Sequence, residues 1–165
     1  MQYNPREDGD GLGCARAFIV MVLFYAVIFL ACTIAHCEEI VDMDAIKQIE
    51  SSGNARAWNQ SEDARGHYQI RNIVLREWNN YHPDRKFKPA DLWNPAINAE
   101  IADWYMNKRI PQMLRYFKLE DNVKNRIISY NAGISTLTKR LPIPKITRNY
   151  LKKYKRRVDP DDGRT

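Results

Sequence analysis

Asp42-Met43-Asp44-Ala45-Ile46-Lys47-Gln48-Ile49-Glu50-Ser51 is the stretch on which the fold turns. Met43, Ile46 and Glu50 recur at helical spacing and Ile49 lies beside them, so a carboxyl shares the apolar face of a short helix. Asp42 supplies a side-chain cap for that helix. Burial against apolar neighbours favours the neutral form of a carboxyl. An acid still protonated near neutral pH can give a proton to a leaving group. The bland alternative is a helix-end glutamate that swings into solvent, and only the residues downstream decide between the two.

Downstream, residues 52–69 are polar and hold Gly53, Asn54, Asn59 and Gly66, which reads as loop with a small hairpin. A second helix is expected over 70–80, stopped before Pro83. Asn94-Pro95 gives a cap followed by proline at the first helical position, with Ile97, Ile101, Trp104 and Tyr105 on one side of the helix after it. Pro111 is expected to break or restart that helix. A further helix over 122–132 stops at Gly133, and short helices are expected near 134–140 and 147–155, parted by Pro142 and Pro144.

Four pieces stand in fixed order: Glu50-Ser51, Gly66-His67-Tyr68-Gln69-Ile70, Asn94-Pro95-Ala96-Ile97-Asn98, and Ser129-Tyr130-Asn131-Ala132-Gly133. Glu-Ser alone carries no specificity; Tyr-Asn-Ala-Gly behind a Gly-x-x-Gln-Ile turn does. The combination resembles the lytic transglycosylase family, which has a lysozyme-like fold and cleaves the glycan strands of peptidoglycan. The resemblance covers roughly residues 43–155.

It implies one catalytic carboxyl, Glu50, acting as acid and then as base, with Tyr130 as the polar partner of the carboxylate. Gln69 and Ser51 would hydrogen-bond the sugar or its acetamido arm. Asn131 would fix the Tyr130 loop or touch substrate, and Tyr150 would close the site from the last helix. His67-Tyr68 depart from the family's usual leucine and methionine; Tyr68 is suited either to a sugar subsite or to the core. Ser129 replaces an alanine. Ile146 stands where many members carry a glutamate, although Thr147 and Tyr150 match. Ordinary glycoside hydrolases use two carboxyls. No second carboxylate has a persuasive position: Glu62 and Asp63 lie in the irregular lobe and could approach Glu50, but read more simply as a solvated loop pair.

Upstream, residues 17–35 run 19 residues without a charge. At about 1.5 Å per residue they reach roughly 28 Å, close to a bilayer core of about 30 Å. Arg6 and Arg16 precede the segment and acids follow it, which leaves residues 1–16 in the cytoplasm and exports the rest. The length favours an uncleaved inner-membrane anchor. Thr33-Ile34-Ala35 and Ala35-His36-Cys37 also suit a signal peptidase, and Phe29-Leu30-Ala31-Cys32 loosely matches a lipoprotein box. The domain would then sit in the periplasm or outside the membrane, anchored or released.

All three cysteines (Cys14, Cys32, Cys37) lie in or beside the apolar segment, so the exported domain folds without a disulfide. The three histidines are scattered, and neither a metal nor a cofactor is expected. Eleven basic residues and no acidic one fall between Asn122 and Val158. That stretch would meet anionic wall polymer or lipid headgroups; an exported domain makes nucleic acid an unexpected partner.

The sequence thus specifies an α+β, mainly α, lysozyme-like single domain behind a transmembrane or signal segment. The divisions are a cytoplasmic segment 1–16, the apolar segment 17–35, a catalytic domain 38–158 and a tail 159–165. The competing functions are a hydrolytic muramidase on the same fold, and a non-catalytic, membrane-tethered wall-binding module of a secretion apparatus.

Overall fold

The computed structural model describes residues 40–160, together with Met21. The chain divides into two units after Glu38, and the described domain belongs to the second, Glu39–Thr165. Apart from Met21, the expected membrane segment lies outside the described residues, as do the three cysteines and residues 161–165. Among the described residues no helix is long and apolar enough to cross a membrane.

Helix α1, Met43–Ser51, starts where the sequence places it: the Asp42 carboxylate accepts from the Ala45 amide at 3.0 Å. It ends at Ser52, which turns left-handed with φ 54° while its amide closes on the Gln48 carbonyl. The expected hairpin is a three-stranded antiparallel sheet of two-residue strands. Strand β1, Trp58–Asn59, pairs with β2, Ala64–Arg65, which pairs with β3, Ile70–Arg71. The second helix therefore starts two residues later than periodicity suggests: α2 is Asn72–Tyr81, because Ile70 and Arg71 are spent on the ladder.

Asn98 locks this small lobe to the helices. It is fully buried, accepts from the Tyr68 amide at 2.9 Å, and donates to the carbonyls of Arg65 (2.9 Å) and Leu92 (3.0 Å). Gly66 makes room for it. A Cβ at Gly66 would stand 2.3 Å from Asn98 Nδ2 and 2.6 Å from the Leu92 carbonyl oxygen, at a φ of 78°.

A 3₁₀ turn, Pro89–Trp93, leads to α3, Pro95–Trp104, capped by the Asn94 side chain on the Ala96 and Ile97 amides. Of the two outcomes open at Pro111, the helix restarts there. A π turn, Tyr105–Arg109, intervenes, and the Ile110 amide reaches back to the Tyr105 carbonyl. Helix α4, Ile110–Tyr116, follows with Pro111 in its first turn, where a missing N–H is harmless. The π turn also shifts the apolar stripe, so that Ile101, Met106, Ile110 and Leu114 are all fully buried. Helix α5, Val123–Ala132, is capped by Asn122 and stopped at Gly133, φ 83°. Then come α6, Ser135–Thr138, and α7, Lys145–Val158, the latter longer at both ends than expected. Helix α7 lays Thr147, Tyr150 and Tyr154 inward. The Tyr154 hydroxyl accepts from the Asp42 amide at 2.9 Å, which docks α7 on the start of α1.

Candidate active site

Five elements meet around the Glu50 carboxyl. The last turn of α1 supplies Glu50, the β1–β2 turn Glu62, β3 Arg71 with Gln69 just before it, and the end of α5 Tyr130 and Asn131; these line one cleft of about 130 Å³. From α7, Tyr150 donates its hydroxyl proton to Glu50 Oε1 at 2.8 Å. Burial lifts the Glu50 pKa from 4.5 to about 7, with the negative charge of Glu62 adding to the rise. The Tyr150 hydrogen bond and the positive charge of Arg71 work against it. The apolar face read in the sequence is present: Ile46 is fully buried, and Met43 and Ile49 pack half-buried against the core.

The two tyrosines take parts different from those the resemblance implies. The hydroxyl on the carboxyl belongs to Tyr150, which had been expected only to close the site. The Tyr130 hydroxyl donates instead to the Tyr68 carbonyl at 2.6 Å, while its ring forms part of the cleft wall. The geometric reason is direction: α7 crosses α1 and aims Tyr150 at its last turn, whereas Tyr130 leaves α5 toward the turn before β3. Burial raises both phenol pKa values well above 10, so neither hydroxyl ionises at physiological pH.

The other expected residues divide. Asn131 lines the cleft and accepts from the Thr147 hydroxyl at 2.7 Å, which ties α5 to α7. Gln69 also lines it, in a left-handed conformation (φ 47°), with its amide nitrogen donating to the carbonyls of Ala57 and Gly66 at 3.0 Å each. Its amide oxygen is thereby oriented by two anchors. Ser51 stands outside the cleft lining; its hydroxyl donates to the His67 carbonyl at 2.8 Å and fastens α1 to the turn. Tyr68 is buried in the hydrophobic core, the structural side of the alternative left open by sequence. Ile146 is exposed, so the site has no side chain from that position.

Glu62 and Asp63 part company. Asp63 pairs with Arg65 and accepts from Asn72. Glu62 lines the same cleft as Glu50, and its charge adds to the rise in the Glu50 pKa. Arg71 was missed. No local pattern singled it out: it follows buried Ile70 on a two-residue strand, and Gln69 before it is left-handed, so simple alternation does not link the two. Among the described residues no group of three or more His, Cys, Asp or Glu side chains converges as a metal site would require.

A small β lobe beside a larger set of helices, with the largely buried Glu50 carboxyl in the cleft they line, is consistent with a lysozyme-like α+β fold. The chain matches the family model "Transglycosylase SLT domain" over residues 40–155 and belongs to that family, whose members are lytic transglycosylases acting on peptidoglycan. Comparison with curated proteins and with solved structures returned no match.

Proposed function

We propose that this domain is a peptidoglycan lytic transglycosylase. It cleaves the β-1,4 bond between N-acetylmuramic acid and N-acetylglucosamine and leaves a 1,6-anhydro-muramyl end. The observation that supports this most is the Glu50 carboxyl, held at a pKa of about 7 in a cleft and touched by one neutral hydroxyl donor. Such a group is protonated and deprotonated in comparable amounts at neutral pH, which suits one residue to both halves of the reaction.

In the first half Glu50 gives its proton to the bridging oxygen as the bond to the anomeric carbon breaks. The acetamido group of the muramyl sugar supports the positive charge that develops there. In the second half the Glu50 carboxylate takes the proton of the 6-hydroxyl, whose oxygen closes on the anomeric carbon. No water is consumed. The Tyr150 hydroxyl and the Arg71 charge favour the carboxylate that exists between the two steps. Gln69 and Asn131 are the candidates for holding the sugar.

This chemistry requires the domain to lie where peptidoglycan lies, anchored through residues 17–35 or released there. The outward cations of α7, among them Lys152, Lys153, Arg156 and Arg157, offer a second contact with anionic wall polymer or lipid headgroups.

Glu62 favours a second reading. A second carboxylate in the cleft with the acid is what a hydrolytic muramidase uses to activate water. Mass spectrometry of digested wall separates the two outcomes. Muropeptides lighter by one water, with no reducing muramyl ends, are expected; reducing ends throughout would assign Glu62 the water and replace transglycosylation by hydrolysis.

A further inference from the structure

Four arginines among the described residues are at least partly withdrawn from solvent: Arg65, Arg71 and Arg109 half-buried, and Arg126 buried. Three of them hold a carboxylate. Arg65 pairs with Asp63 at 2.5 Å, Arg109 with Glu77 at 2.5 Å and Arg126 with Asp121 at 2.6 Å. Arg71 forms no ion pair with any described residue. Its one hydrogen bond to protein runs from Nη2 to the Tyr130 carbonyl at 3.3 Å. A guanidinium has five N–H donors in a planar fork. Half-buried charge without a counter-charge is costly, and the fork matches a carboxylate in bidentate fashion. Neither acid in the cleft takes up that partnership, since Glu50 is committed to Tyr150 and Glu62 is not within ion-pair distance.

We propose that Arg71 recognises a carboxylate carried on the muramyl arm of the glycan, and so makes the cleft selective for muramic acid over neutral amino sugars. The proposal rests on the peptidoglycan reading above. The muramyl residue differs from its neighbour by an acidic ether arm. In strands stripped of peptide that arm ends in a free carboxylate; in strands bearing peptide the arm is an amide and the carboxylates lie further out on the peptide. Both sources present the same group to the same fork. Arg71 lies in the cleft wall with Gln69 and Glu50, so its selectivity acts beside the reacting bond.

The test uses full-length Glu50→Gln protein, which retains the cleft, and the same protein with Arg71→Gln or Arg71→Lys. Calorimetric titration compares three tetrasaccharides: a neutral N-acetylglucosamine oligomer, a stem-free muramyl oligomer and a stem-bearing one. Arg71→Gln is expected to lose about tenfold more affinity for a carboxylate-bearing ligand than for the neutral one. Arg71→Lys, which keeps the charge without the fork, is expected to recover part of the difference. The muramyl ligand that suffers the larger loss identifies the carboxylate as that of the ether arm or of the peptide. Equal losses on all three ligands, or none, would overturn the proposal while leaving glycan binding intact. Failure of the parent protein to bind any of the three would overturn the peptidoglycan reading itself.

Discussion

The Tyr150 hydroxyl reaches Glu50 Oε1 at 2.8 Å from a residue 100 positions away in the chain. The bond joins the last helix of the domain to the end of the first. It is one of a set: Tyr154 takes the Asp42 amide one turn along α7, and Thr147 holds Asn131 from the turn before. Tyrosines and threonine at helical spacing thus dock α7 and complete the site in the same act. The acid is apolar on its α1 side and polar on its α7 side, which is what a residue that must both release and regain a proton needs.

Removing the Tyr150 hydroxyl removes a group that favours the charged carboxyl. Tyr150→Phe is therefore expected to raise the Glu50 pKa, moving the alkaline limb of kcat/KM to higher pH from its wild-type position near pH 7. The base half of the cycle loses a hydrogen bond to a charged group, and kcat is expected to fall about tenfold or more. Tyr130→Phe leaves a buried Tyr68 carbonyl without its donor, at a cost of about 1–3 kcal/mol in stability. Rate profiles and melting curves of the two variants separate the roles; a Tyr130→Phe limb shifted as far as that of Tyr150→Phe would contradict the assignment.

A carboxyl whose folded pKa lies above its unfolded value binds its proton more tightly in the folded state. Stability therefore declines as pH rises from about 4.5, the unfolded value, and the loss is complete above about 7. The full cost is up to about 3 kcal/mol. Glutamine keeps an acceptor for Tyr150 and never ionises. Glu50→Gln is expected to match wild type in denaturant unfolding at pH 4.5 and to exceed it at pH 8. Equal stabilities at both pH values would show that the carboxyl is not perturbed.

The apolar setting of Glu50 was legible in residue spacing, the other cleft residues only through the motifs that carry the family resemblance, and what was not legible has physical causes. Helix starts at Asp42 and Asn94 followed from capping chemistry, which is local. Glu50, Gln69 and Asn131 are near one another because helix α1, the turn before β3 and the end of α5 each carry a recognisable signature. The exchange of tasks between Tyr130 and Tyr150 depends on how α7 crosses α1, and no local pattern encodes a crossing. Strand β3 was read as helix because Ile70 fits both periods, and two residues are too short to tell them apart. Pro111 marks a restart, as one of its two readings had it, but the π turn that joins the two helices has no sequence signal of its own. Arg71 escaped because arginine in a polar stretch looks solvated until its neighbours are known.

Asn98 is the residue on which the placement of the β lobe depends most. Asn98→Ala strips a buried backbone amide, a buried carbonyl and a partly buried one of their partners at once. A loss of at least about 3 kcal/mol in chemical unfolding is expected. Gly66→Ala should be at least as damaging, because the added carbon meets backbone oxygen and not only a movable side chain. A Glu50 cleft of normal activity in a fully stable Asn98→Ala protein would show that the lobe is held by other contacts.

The most direct test of the account is the rate at which purified wild-type and Glu50→Gln proteins release soluble fragments from isolated peptidoglycan at pH 6–7. With the proposed catalytic acid replaced by an amide of nearly the same shape, cleavage is expected to drop by several orders of magnitude in a protein that melts no lower than wild type. A Glu50→Gln protein that digests the wall at a rate comparable to wild type would contradict the role given to this glutamate.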